Sequence, residues 1–299
     1  MIPQPTRKGT APFRGHKTWY RVTGDLAGGR PPLVAVHGGP GSTHDYLLRL
    51  AELAAEGQPV VHYDQLGNGG SSHLPGEKPD FWTVDLFLDE LDNLLAHLGI
   101  TDGYVLFGQS WGGMLSAAHA ARRPAGLRGL VIANSPASMP TWRQEMTALR
   151  AALPAQAQAE LLRHEEGGTT DSPAYFEAAM AFYDRHVCRT KPWPREVAAT
   201  MMEIYNDPTV YFTMNGPNEF HVVGTLKDFT VEPLLPRITA PTLVISGEHD
   251  EATPATVRPY AELIPGARWE IVAGSSHMPH VEAPEAFDAV LRKFLAELG

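Results

Sequence analysis

The stretch that most constrains this chain is Gly108-Gln109-Ser110-Trp111-Gly112. An apolar, β-rich run, Tyr104-Val105-Leu106-Phe107, precedes it, bounded by the turn residues Asp102-Gly103. A run of small helix formers follows, from Gly112 to Ala121, and stops before Pro124. A strand that turns sharply into a helix around Gly-x-Ser-x-Gly reads as a nucleophile elbow. Its glycines have a steric purpose, because side chains at 108 and 112 would collide where strand and helix nearly touch. The helix N-terminus would point partial positive charge at an anion forming near Ser110. The competing reading is a tight glycine turn whose serine only caps the helix.

Composition narrows the class. The 299 residues suffice for one large α/β domain with an insertion, or for two modest domains. A net charge of −10 argues against a nucleic-acid or anionic-membrane surface. The one cysteine, Cys188, excludes an internal disulfide framework and fits a reducing compartment. Its basic neighbours Arg185, His186 and Arg189 could lower its pKa, but no partner motif accompanies it, so a structural cysteine is expected. The N-terminal stretch Met1–Lys8 lacks the apolar centre of a secretory signal, and no apolar run reaches the roughly 18 residues of a membrane span. A cytoplasmic protein without metal or cofactor is expected.

Along the chain, Lys17–Thr23 alternates like a partly exposed strand, while Leu33–Val36 and Val60–Tyr63 are short apolar runs of the buried parallel kind. Between Thr83 and Leu98 the apolar residues recur at helical spacing. Asp85, Asp89, Glu90 and Asp92 fill the other face, which is expected to be solvated, and Gly99 ends the helix. Leu127–Ala133 is another buried strand. This alternation implies an α/β fold with a mostly parallel central sheet flanked by helices. From Asn134 to about Pro233 strands vanish, and aromatic-rich helical stretches broken by prolines take over. They predict a helical cap over residues 135–232, with 1–134 and 233–299 forming the core. Most cap aromatics should pack, and a minority should line an apolar pocket. Strands resume at Thr242–Ile245 and Arg268–Val272, and an amphipathic helix closes the chain.

A serine is a poor nucleophile at neutral pH and needs a base oriented by an acid. Asp250 and His277 follow Ser110 in the order Ser, Asp, His, each in a loop just after an apolar strand. Asp64 precedes the serine and is expected to hold its loop together. Asp228, in the return from cap to core, and His280 and His249 are weaker rivals. The loop His37-Gly38-Gly39-Pro40-Gly41 can bring backbone amides to a ligand, so the amides of Gly39 and Trp111 are the expected oxyanion donors. It lacks the Lys-Ser/Thr ending of a phosphate loop.

His37–Gly41, Tyr63-Asp64-Gln65-Leu66-Gly67, Gly108–Gly113 and Gly247-Glu248-His249-Asp250 together resemble the proline iminopeptidase family of the α/β-hydrolase fold. Met214-Asn215-Gly216-Pro217-Asn218-Glu219-Phe220 is similar to the branch that holds the tricorn-interacting aminopeptidase and bacterial L-amino-acid (prolyl) amidases. The resemblance runs from about residue 10 to the C-terminus. It implies release of an N-terminal residue, or hydrolysis of an amino-acid amide, with Glu219 and Glu251 holding the free α-ammonium. The physics agrees: a cation shielded from water needs paired carboxylates, and these reject N-blocked substrates by being left unpaired. A helix-capping or surface role is the rival for Glu219. The chain departs from many members at Asn68, where they carry a cysteine. An esterase or lactonase with the same three residues, and a non-catalytic ligand receptor, are the other readings.

Overall fold

Eight strands form one sheet in the order β1-β2-β4-β3-β5-β6-β7-β8 in the computed structural model, which describes residues 2–299. Of the N-terminal stretch read above, Met1 alone lies outside the described residues. The strands are β1 Arg7–Phe13, β2 His16–Thr23, β3 Leu33–Val36, β4 Val60–Tyr63, β5 Tyr104–Gln109, β6 Leu127–Ala133, β7 Thr242–Gly247 and β8 Arg268–Val272. From β4 to β8 every pairing is parallel, whereas β1 and β2 add an antiparallel edge. Every residue of β3, β4, β5 and β7 is buried, as expected for strands covered on both faces.

Helices α1 (Val84–Leu98), α2 (Trp111–Ala120), α8 (Pro254–Leu263), α9 (Pro279–Glu282) and α10 (Pro284–Glu297) belong to the sheet-bearing part of the chain. The Thr83 hydroxyl caps α1 by accepting from the Leu86 amide, and Gly99 ends it in the left-handed conformation. Glu90 corrects the expected solvated face of α1. It is fully buried and accepts the Leu66 amide at 2.9 and 3.0 Å and the Thr18 hydroxyl at 2.5 Å. It thereby fixes the loop after β4. Burial raises its carboxyl to about 7.

Between β6 and β7 stand α3 (Met139–Ala151), α4 (Ala155–Gly167), α5 (Pro173–His186), α6 (Arg195–Asn206) and α7 (Thr209–Met214). The two ends of this insert are zipped together. Ser138 bridges Thr230, the Met139 amide donates to the Phe229 carbonyl, and the Val231 amide donates to the Ala137 carbonyl. No helix among the described residues is long and apolar enough to cross a membrane.

Candidate active site

Ser110 sits at φ 55°, ψ −124°, between β5 and α2, a conformation seldom adopted by a residue with a side chain. Tight packing holds it there. A Cβ at Gly108 would lie 2.2 Å from the Gly112 carbonyl oxygen, and one at Gly112 would lie 2.0 Å from the Val36 carbonyl oxygen. The second collision is with β3, so the elbow is wedged between a helix and the neighbouring strand. Ser110 makes no capping bond to α2, which removes the helix-cap reading.

Asp250 and His277 meet in the loops after β7 and β8. His277 Nδ1 lies 2.7 Å from Asp250 Oδ1, and both side chains are buried. Further donors surround the same carboxylate. Asn134 Nδ2 reaches Oδ2 at 2.5 Å, and the Ala252 amide reaches Oδ1 at 2.9 Å. The loops can approach because position 247 is glycine, where a Cβ would lie 2.0 Å from the Ser276 carbonyl oxygen. The rivals are placed elsewhere. Asp64 binds the amides of His44 and Gly70 and the His44 ring, the structural role expected of it. Asp228 is exposed. His280 is buried, its Nε2 against the Tyr46 carbonyl at 2.9 Å, and burial drops its imidazole to about 4. His249 is half-exposed and engages the site through its carbonyl, 3.1 Å from His186 Nδ1.

Gly39 and Trp111 line one small cavity with Ser110, together with Pro40, Met139, Trp142 and Glu219; its volume is about 20 Å³. Trp111 provides the first amide of α2, which has no acceptor within the helix. Gln65 ties the two expected donors' surroundings together. Its Nε2 donates to the His37 carbonyl at 2.8 Å, and its Oε1 accepts the Trp111 indole at 2.9 Å.

Glu219 reaches the cavity from the insert. Asn218 accepts the amides of Phe220 and His221, closing a turn after Gly216, and the Trp142 indole holds the Glu219 carbonyl at 2.8 Å. The Glu219 carboxylate accepts from the Tyr211 hydroxyl at 2.5 Å, and this bond sets aside a capping or surface role. Glu251 is 1% exposed; its Oε1 lies 3.5 Å from His277 Nε2 and its Oε2 is buried without a hydrogen-bond partner. Burial raises both carboxyls above the usual range. The negative charges of Glu219 and Asp250 push Glu251 higher still. Glu219 on the cavity wall and buried Glu251, whose Oε2 is orphaned, act on each other electrostatically, and a cation near the pair would be stabilised. No cluster of three or more potential metal ligands occurs among the described residues.

Sequence reasoning missed three contributors. Asn134, at φ 50°, braces Asp250. Its place directly after a buried strand, beside the insert, was the one available signal. The carbonyl of His186, at the end of α5, accepts the amides of both Glu251 and His277, joining the insert to the two site loops. Tyr46 lies in the 3₁₀ segment Asp45–Glu56, where its hydroxyl accepts the Gly38 amide at 2.7 Å. Cys188 is buried, its thiol raised to about 11, in line with a structural cysteine. Of the insert's aromatics, Tyr175, Phe176, Tyr205 and Phe212 line a separate groove of about 390 Å³.

A family profile described as "alpha/beta hydrolase fold" matches residues 31–284, which sets the class. The crystal structure of VinJ superposes with a TM-score of 0.98 at 65% identity, covering 99% of this chain and all of that one. Proline iminopeptidase from Mycobacterium smegmatis gives 0.89 at 49% identity, with 98% of each chain covered. Proline iminopeptidase from Saccharolobus solfataricus is 37% identical over 93% of this chain and 88% of its own length. The chain belongs to the proline iminopeptidase family.

Proposed function

We propose that this protein is a serine aminopeptidase that releases an N-terminal proline, or another small apolar residue, from a peptide or amide. The observation that carries the reading is Glu219 in the cavity with Ser110, together with Glu251, whose Oε2 is orphaned and whose Oε1 lies 3.5 Å from His277 Nε2. The repulsion of the two carboxylates is relieved when a substrate ammonium enters between them. An acylated amine brings no charge and leaves Glu251 Oε2 buried and unpaired. Ser110 then attacks the carbonyl carbon next to that ammonium. Its proton passes to His277 Nε2, while Asp250 holds Nδ1 and fixes the ring. The amides of Gly39 and Trp111 receive the oxyanion. His277 returns the proton to the departing amine, and water, activated by the same imidazole, releases the acyl group from Ser110.

A cavity of about 20 Å³ holds roughly one water-sized sphere. It favours a small acyl residue and requires the cap we assign to residues 135–232 to move when substrate enters. The names of the family's relatives support proline as the released residue. The test compares prolyl- and alanyl-p-nitroanilide with their N-acetyl counterparts. Turnover of the free amines alone is expected. Equal turnover of both forms would contradict the ammonium site and favour a general esterase.

A further inference from the structure

The reaction proposed above requires three loops from separate parts of the sheet to keep register within a fraction of an ångström: the Gly38–Gly39 loop, the Ser110 elbow and the His277 loop. One chain of hydrogen bonds crosses all three. The Gly38 amide donates to the Tyr46 hydroxyl at 2.7 Å. That hydroxyl donates to Gln109 Oε1 at 2.5 Å, and Gln109 Nε2 donates to the His277 carbonyl at 3.1 Å. Every member is buried. The directions are fixed, because an amide can only donate to the phenol, so the phenol's own proton goes to the Gln109 oxygen and the Gln109 amide nitrogen faces His277.

Tyr46 is held from behind. Its backbone carbonyl meets His280 Nε2 at 2.9 Å, and its ring packs against the His280 ring, with centroids 5.8 Å apart. With Nδ1 bare and Nε2 protonated, neutral His280 donates to that carbonyl. His280, the rival base in the sequence, thus supports the residue that links the site loops. Tyr46 does not line the Ser110 cavity, so any influence it has on the reaction is indirect.

We propose that Tyr46 is a positioning residue, whose hydroxyl locks the oxyanion loop at Gly38 to the Ser110 elbow and, through Gln109, to the His277 loop. The inference rests on serine chemistry at Ser110. Tyr46→Phe removes one oxygen, leaving the Gly38 amide and Gln109 Oε1 buried without partners. The geometry it holds matters to the transition state more than to the bound ground state. Its loss should therefore appear in kcat rather than KM.

The experiment measures alanyl-p-nitroanilide turnover by full-length wild type, Tyr46→Phe, Gln109→Met and the double variant. Rates are expressed per active site titrated with a fluorophosphonate, so misfolded molecules drop out. Tyr46→Phe is expected to lower kcat per titrated site by about 10- to 100-fold, with KM changed less than about threefold. Because the two side chains act in series, the double variant should lose little more than the worse single variant. A kcat per site within about twofold of wild type, or losses that multiply, would overturn the proposal. If wild type were labelled at Ser110 but turned over no amine substrate, the aminopeptidase reading would fail. The ratio of labelling rates for wild type and Tyr46→Phe would then test Tyr46: a slowing of about tenfold upholds it, and equal rates overturn it.

Discussion

The sheet-bearing part of the chain and the helical insert contribute to the site in different ways. Ser110 and Asp250 stand on loops at the carboxyl ends of the buried strands β5 and β7, and His277 stands on the loop after the largely exposed edge strand β8. Backbone contacts so close hold them that glycine is the only residue that fits at 108, 112 and 247. Glu219 stands on a turn whose position depends on side chains. Asn218 donates to the Tyr175 hydroxyl, which donates to Glu165, and Arg150 grips Glu165 with two bonds of 2.9 and 2.8 Å. On the proposed reading, the core presents a rigid device for attacking a carbonyl. On the same reading, the insert presents a recognition group, Glu219, that a few side-chain changes could move or replace. The contrast explains physically how one fold can retain its chemistry while its substrate changes.

The comparison can be broken most severely at Ser110. Ser110→Ala is expected to lower kcat at least about 10⁴-fold on every acyl substrate, and a steady-state assay on amide and ester substrates checks it. Next comes Glu219→Gln. It should lower kcat/KM about 100-fold on free-amine substrates and leave the rate of Ser110 labelling by a fluorophosphonate within about threefold. Labelling that collapses in parallel would show that insert and core are not separable. Asn134→Gly keeps the positive φ while deleting the donor to Asp250, and kcat should fall about tenfold with KM little changed.

The smallest effect concerns Glu90. Its folded carboxyl, at about 7, lies above the unfolded value of 4.5, so the native state holds the proton more tightly. Its contribution to stability is fully present below 4.5 and is lost as pH rises through 7. Glu90→Gln keeps an acceptor for the Leu66 amide without a charge. It should flatten the fall in Tm between pH 4.5 and pH 8, leaving the variant about 2–4 °C above wild type at pH 8.

What the sequence revealed follows the same division. The elbow, the strands β3 to β7 and the order of Ser110, Asp250 and His277 were legible because each is a local pattern or a spacing. Strand β1 escaped notice, since Arg7-Lys8-Gly9-Thr10-Ala11-Pro12-Phe13 is polar and carries a proline that only an edge strand tolerates. Glu90 was misread because helical periodicity counts a carboxylate as solvent-facing and cannot register the amide it binds across the fold. Asn134, His186 and Tyr46 act through contacts between distant parts of the chain, each of them to a backbone group, and such contacts leave no motif. The role of Glu219 and Glu251 toward an ammonium came from family resemblance and stays a proposal.

The most direct test of the account replaces the substrate's ammonium by nothing larger than hydrogen. Alanyl-p-nitroanilide and propionyl-p-nitroanilide differ at that group alone, and both are compared on wild type and on the Glu219→Gln/Glu251→Gln variant. The account predicts that wild type prefers the amine by at least about 100-fold in kcat/KM, and that the double variant loses most of that preference while Ser110 remains reactive. A preference of the same size in both proteins would contradict recognition of the ammonium by these two carboxylates.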